Sequence, residues 1–165
     1  MIKLKMEHIK IKIQVQFELS PRTIVSVNQN VVFDQKINHN EINVEAQIDN
    51  SAWSLGIKHS DKDYIKSHNE FVEIKNIFLN DVSIGKMLWN TLQVPTDIDY
   101  NEMIKHNWKG NLFLGHNSYC VWNFTSPVET MLRNYYKTDT NKTMNAQETT
   151  QETLDYMKQK FNITN

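Results

Sequence analysis

EFVEIKNIFLNDVSIGKMLW, residues 70–89, reads as a β-hairpin. Ile77-Phe78-Leu79 and Val82-Ser83-Ile84 flank Asn80-Asp81, two residues that tolerate the positive φ of a tight turn. A two-residue loop pairs Leu79 with Val82 and Ile77 with Ile84. All four should share one face, because side chains alternate along a strand. Upstream, Val72 and Ile74 are one residue out of phase with Ile77 and Leu79. The slip falls at Lys75-Asn76 and predicts a β-bulge or a bend. The stretch is therefore expected to form a central hairpin of an antiparallel sheet.

Working outward, the same alternation recurs. Ile2, Leu4 and Met6 alternate, and Ile9, Ile11, Ile13, Val15, Phe17 and Leu19 do so in the other phase. Lys10, Lys12, Gln14, Gln16 and Glu18 point the opposite way, which gives a long strand with one buried face. Ser20-Pro21-Arg22 closes it, and a second hairpin is expected to turn at Asn28-Gln29-Asn30. Ile42, Val44, Ala46 and Ile48 make another one-faced strand. After a turn at 49–51, Trp53, Leu55, Ile57 and His59 make the next. Residues 60–69 read as a polar loop, with Lys62 between Asp61 and Asp63 in a solvated turn. Residues 90–111 read as one long loop. Leu112–Gly115 and Tyr119–Phe124 resume strand character, with a turn at His116-Asn117. Short strands joined by turns, without intervening helices, predict a mainly β protein, an antiparallel β-sandwich of jelly-roll type.

Two helices are expected beyond the sandwich. Ser126-Pro127-Val128-Glu129 is a helix start, with serine as N-cap, proline at the first helical position and glutamate completing a capping box. It predicts a short helix over 127–136, with Val128, Met131, Leu132 and Tyr135 on one face. A polar linker follows, and residues 146–161 form a second helix with a narrow stripe of Leu154, Met157 and Phe161. The expected organisation is a sandwich domain over 1–136 and a linker with a docking helix over 137–165.

The chain has 165 residues and a formal charge of −1, so it carries no general field for nucleic acid or an anionic membrane. Residues 1–11 lack a continuous apolar run, so no signal peptide is expected, and no later run is long enough for a membrane-spanning helix. Asn123-Phe-Thr125, Asn141-Lys-Thr143 and Asn162-Ile-Thr164 match the glycosylation triplet and are read as chance in an Asn-rich chain. The single cysteine, Cys120, excludes an intrachain disulfide and reads as a small buried residue. Six histidines fall singly, without metal-ligand spacing, so neither metal nor other cofactor is expected. No Ser-His-Asp pattern, glycine-rich phosphate loop or GxSxG elbow is present, and no catalytic residue is assigned.

The order of features in the second half resembles small β-sandwich, virion-associated proteins of tailed phages of marine bacteria. The residues concerned are Ile74-Lys75-Asn76-Ile77, Asn80-Asp81-Val82, Gly85, Leu88-Trp89, Leu114-Gly115, Trp122-Asn123-Phe124 and Thr125–Val128. The first half has the general look of carbohydrate-binding jelly rolls. The resemblance implies an accessory structural protein of a virion, on the capsid or the tail, with other virion proteins as partners and no enzymatic role.

The alternative is a carbohydrate-binding module. Trp53 and Trp122 lie in strand pattern and belong to the core. Trp108 and Tyr100 lie in the 90–111 loop, near Asp97 and Asp99, and together form a candidate glycan platform. The plainer reading of that platform is an aromatic plug at one end of the sandwich. Asp97, Asp99 and Glu102 have oxygens suited to a hard cation such as Ca²⁺, but the plainer reading is a turn acid, an N-cap and a capping-box acid. Leu154, Met157 and Phe161 are the candidate docking residues for a protein partner.

Overall fold

The computed structural model describes residues 6–49, 51–96 and 111–138. Asp97, Asp99, Tyr100, Glu102, Trp108 and the helix carrying Leu154, Met157 and Phe161 lie outside them. The backbone divides after Val128 into two units.

The first unit is a sandwich of two antiparallel sheets. Its strands are β1 (Glu7–Glu18), β2 (Arg22–Val27), β3 (Asn30–Lys36), β4 (Glu41–Ile48), β5 (Ala52–Ser60), β6 (Phe71–Leu79), β7 (Val82–Ser83), β8 (Leu92–Pro95), β9 (Phe113–Leu114) and β10 (Ser118–Thr125). One sheet runs β4-β1-β6-β7, with β9 also on β6, and the other runs β3-β2-β5-β10-β8. The outer edge of β6 is shared: Phe78 and Leu79 face β7, while Val72 and Glu73 face β9.

Alternation explains the core. Ile9, Ile11, Ile13 and Val15 of β1, Ile42, Val44 and Ile48 of β4, and Val72, Ile74, Ile77 and Leu79 of β6 are all buried. From the other sheet, Val25, Val27, Trp53, Leu55, Ile57, Cys120, Trp122 and Phe124 are buried as well. Trp53 and Phe124 pack with ring centroids 4.8 Å apart, and Trp122 Nε1 donates to the Leu88 carbonyl at 2.8 Å. The predicted slip is a bulge: β1 pairs Gln14 with Asn76 and then Val15 with Ile74, leaving Lys75 as the extra residue. It returns Val72 and Ile74 to the face that Ile77 and Leu79 already occupy. The predicted two-residue turn at Asn80-Asp81 is present with positive φ at both residues, and the hairpin expected to turn at Asn28-Gln29-Asn30 turns on Asn28 and Gln29 alone, also at positive φ, with Asn30 already opening β3.

Several expectations are corrected. Leu79 pairs with Val82 as predicted, but Val82 is 42% exposed while Ile77, Leu79 and Ile84 are fully buried. The strand β7 is two residues long and at the sheet edge, so nothing covers Val82 before the chain turns into the 3-10 turn Gly85–Trp89. In that turn Leu88 is buried and Trp89 is exposed. Leu19 leaves the strand with φ 61° and is exposed. Residues 90–111 are not all loop: Leu92–Pro95 form β8 on the edge of β10, pairing Leu92 with Val121 and Pro95 with Ser118. Proline is tolerated there because an edge strand need not donate on both sides.

The helix start also differs. Residues 128–138 are helical. Ser126 does not cap them as an acceptor: its hydroxyl donates to Glu7 Oε2 at 2.5 Å, and the Val128 N–H donates to Glu7 Oε1 at 3.0 Å. A carboxylate 121 residues away in sequence thus replaces the local serine, and a negative charge suits the positive end of the helix. Glu129 pairs with Arg133 instead of completing a capping box. Among the described residues no helix is long and apolar enough to cross a membrane.

Candidate functional site

At one end of the sandwich the inner faces change character. Thr23, His59, Gln93 and Ser118 are buried there, where the rest of the strands supply aliphatic residues. Burial without a partner is costly, and these side chains are bonded with one exception among the described residues: Gln93 Oε1 is buried without a partner. His59, the last inward residue of β5, places Nδ1 2.9 Å from the Leu114 carbonyl and Nε2 3.0 Å from Glu70 Oε1. The carbonyl can only accept, so Nδ1 carries a proton. Gln93 Nε2 donates to the Phe113 carbonyl at 2.9 Å and to Ser118 Oγ at 3.2 Å. These bonds join the two sheets through polar groups.

Lys62 completes this end. It was expected in a solvated turn, yet it is only 9% exposed. Its ammonium donates to the backbone carbonyls of His68 (2.9 Å), Glu70 (2.8 Å) and Gly115 (2.5 Å). The Tyr64 ring lies 5.4 Å away. Burial pushes the Lys62 ammonium below the ordinary lysine range, while the Glu70 carboxylate pulls the other way. Asn117 holds the same loop from the other side, accepting from the Lys62 N–H at 2.8 Å, and its own N–H donates to the Tyr64 hydroxyl at 3.0 Å.

Together these contacts shape a cleft of about 640 Å³. Glu18 comes from the end of β1, Lys62, Tyr64, His68, Asn69 and Glu70 from the loop after β5, and Phe71 from the start of β6. Phe113, Gly115 and His116 close the other wall. The rings of Phe71 and Phe113 are 4.8 Å apart, and those of Tyr64 and His116 are 5.8 Å apart. Phe113 is 46% and Tyr64 42% exposed, so aromatic faces meet solvent beside carboxylate oxygens. Gly115 permits this arrangement: a Cβ there would lie 2.7 Å from Cε1 of Phe113.

The predicted ligand residues Asp97, Asp99, Tyr100 and Trp108 lie outside the described residues. The residues flanking that segment are placed: the Thr96 N–H donates to the Asn117 carbonyl at 2.8 Å, and Asn111 Oδ1 accepts from the Phe113 N–H at 3.0 Å. Sequence reasoning passed over Lys62, Glu70 and Phe113. One signal was present: His59 falls on the inward phase of an otherwise aliphatic strand, and a buried imidazole needs partners. Among the described residues no group of His, Cys, Asp and Glu could hold a metal ion.

No protein-family model matches the chain, and no curated protein does. Two solved structures are similar in fold. One is described as vCBM60 in complex with galactobiose: it is 10% identical, with 70% of this chain and 99% of that one covered and a TM-score of 0.47. The other is a SeMet form of vCBM60, described under a circular permutation linking two families of calcium-dependent carbohydrate binding modules. It is 12% identical, with 69% and 89% covered and a TM-score of 0.46. No residue role carries across either likeness.

Proposed function

We propose that this chain is a non-catalytic carbohydrate-binding module and that the cleft around Phe113 and Glu70 takes the sugar. The observation that carries the reading is the pairing of exposed aromatic faces with carboxylate oxygens over a floor held by Lys62. A pyranose ring has an apolar C–H face and a rim of hydroxyl groups. The first packs on an aromatic ring, and the second donates to carboxylates. The volume falls in the range of small-molecule sites, and the walls are tied to two sheets, so little order need be lost on binding. The competing proposal, an accessory virion protein acting through protein contacts, draws on the sequence resemblance of the second half.

A glycan array probed with the full chain, followed by titration calorimetry on the hits, separates the two. The carbohydrate reading expects a saturable hit that Phe113→Ala weakens roughly tenfold, equivalent to about 1.4 kcal/mol, without loss of the folded state. Absence of any glycan binding at millimolar concentration, or a hit indifferent to Phe113→Ala and Tyr64→Ala together, overturns it.

A further inference from the structure

We propose that the oxygens around Lys62 form a monovalent-cation site, which the chain fills with its own ammonium, and that this built-in ion fastens the two walls of the cleft. The groups that meet Nζ are ones that attract a cation. The carbonyls of His68, Glu70 and Gly115 converge on it at 2.9, 2.8 and 2.5 Å. The Tyr64 ring lies 5.4 Å away, within reach of a cation–π contact. The Glu70 carboxylate adds a Coulombic attraction. These carbonyls belong to both walls, since His68 and Glu70 lie in the loop after β5 and Gly115 follows β9. Sets of backbone carbonyls hold a monovalent ion by replacing its water shell. Two of the three lie beyond the roughly 2.3–2.6 Å that Ca²⁺ takes, so the cage suits an ammonium better than a hard divalent ion. The site is also reachable. Lys62 is buried but lines the cleft, so removing its side chain beyond Cβ opens the cage to solvent. Lysine carries its ammonium on a four-carbon stem, and alanine in its place lacks the atoms of n-propylammonium.

The test is chemical rescue of the full chain carrying Lys62→Ala. It is melted in the chlorides of n-propylammonium, N-methylglucamine and Ca²⁺ at matched ionic strength, and with 1-propanol, which has the same stem and no charge. In the bulky N-methylglucamine salt the variant should melt roughly 5–10 °C below the parent. Propylammonium should restore at least half of that loss and do so saturably, because a ligand of the folded state stabilises it by mass action. The parent, whose cage is filled, and Lys62→Met, whose cage is blocked by an apolar side chain, should show no such gain. Equal melting in propylammonium and N-methylglucamine overturns the proposal. So does equal recovery in 1-propanol, greater recovery in CaCl₂, or the same gain in the parent or in Lys62→Met. Where Lys62→Ala is unfolded in N-methylglucamine, refolding is scored instead: recovery of the folded state in propylammonium supports the site, and recovery in none of the salts overturns it. Glycan binding is no part of the readout, so a failed rescue leaves the carbohydrate reading standing, and an empty glycan array leaves the cation site standing.

Discussion

Lys62 is the residue on which the cleft depends, and its role follows from donor number. Three backbone carbonyls, of His68, Glu70 and Gly115, receive one N–H each from a single side chain. Shortening that side chain removes all three bonds, at a cost of roughly 2–3 kcal/mol. Cys120 illustrates the opposite case. It is fully buried, its thiol is pushed up to about 12 by desolvation, and it behaves as a small apolar residue. Leu79 and Val82 separate pairing from burial. They are cross-strand partners, but the first is fully buried and the second is not. Leu79→Asp should abolish the cooperative melting transition, because it places an unpaired charge between the sheets. Val82→Asp should melt within about 2 °C of the parent, as expected of a surface change. Scanning calorimetry of both variants checks this, and a collapse of the Val82 variant would mean that the β7 edge is covered.

The hairpin between β6 and β7 is held by its turn as much as by its short ladder. Asn80 and Asp81 have φ of 49° and 65°, which L-residues adopt at a cost that asparagine and aspartate reduce. Asn80 also binds β1 twice, its Oδ1 accepting from the Lys10 N–H and its own N–H donating to the Lys10 carbonyl, both at 2.9 Å. Asn80→Ala loses both the side-chain bond and the conformational tolerance. It should cost roughly 2 kcal/mol and lower the melting temperature by roughly 4–8 °C. Asn80→Gly retains the conformational freedom and should lose about half as much. Thermal denaturation of the pair decides it: equal losses in both variants would show that the backbone angle contributes nothing. The start of the helix at 128 obeys the same logic of termini, since the Val128 N–H needs an acceptor and the Glu7 carboxylate supplies it.

Across the sandwich as a whole, one contribution to acid stability lies at the surface that joins three segments. Arg22 on β2 bonds Asp34 on β3 and Asp61 at the start of the cleft loop. Hydrogen bonding from Arg22 holds both carboxyls below the usual carboxylate range. The folded chain therefore binds these protons less readily than the unfolded chain. The contribution is fully present above the ordinary aspartate value of about 4 and is lost as pH falls through the depressed folded values. The groups are exposed, so the effect is modest and weakened by salt. Melting temperature should fall more steeply between pH 5 and about 2 in the parent than in the Asp34→Asn, Asp61→Asn double variant. Parallel curves over that window would show that the triad does not contribute.

Period-two alternation in β1, β4 and β5, the Asn-rich turns and the phase slip at Lys75-Asn76 determined the antiparallel sandwich from the sequence alone. These are local properties: an apolar face must be buried, and a side chain's face follows from its parity along the strand. Bulge, turns and core positions of Trp53 and Trp122 were legible for that reason. The short edge strands were less so. Two to four residues carry little periodicity, and whether Val82 or Leu92 is covered depends on what lies beyond the edge. The cleft was decided by tertiary structure only. Lys62 meets Gly115, and His59 meets Leu114, across more than fifty positions of sequence. A lysine between two aspartates reads as solvated until the fold brings three carbonyls around its ammonium.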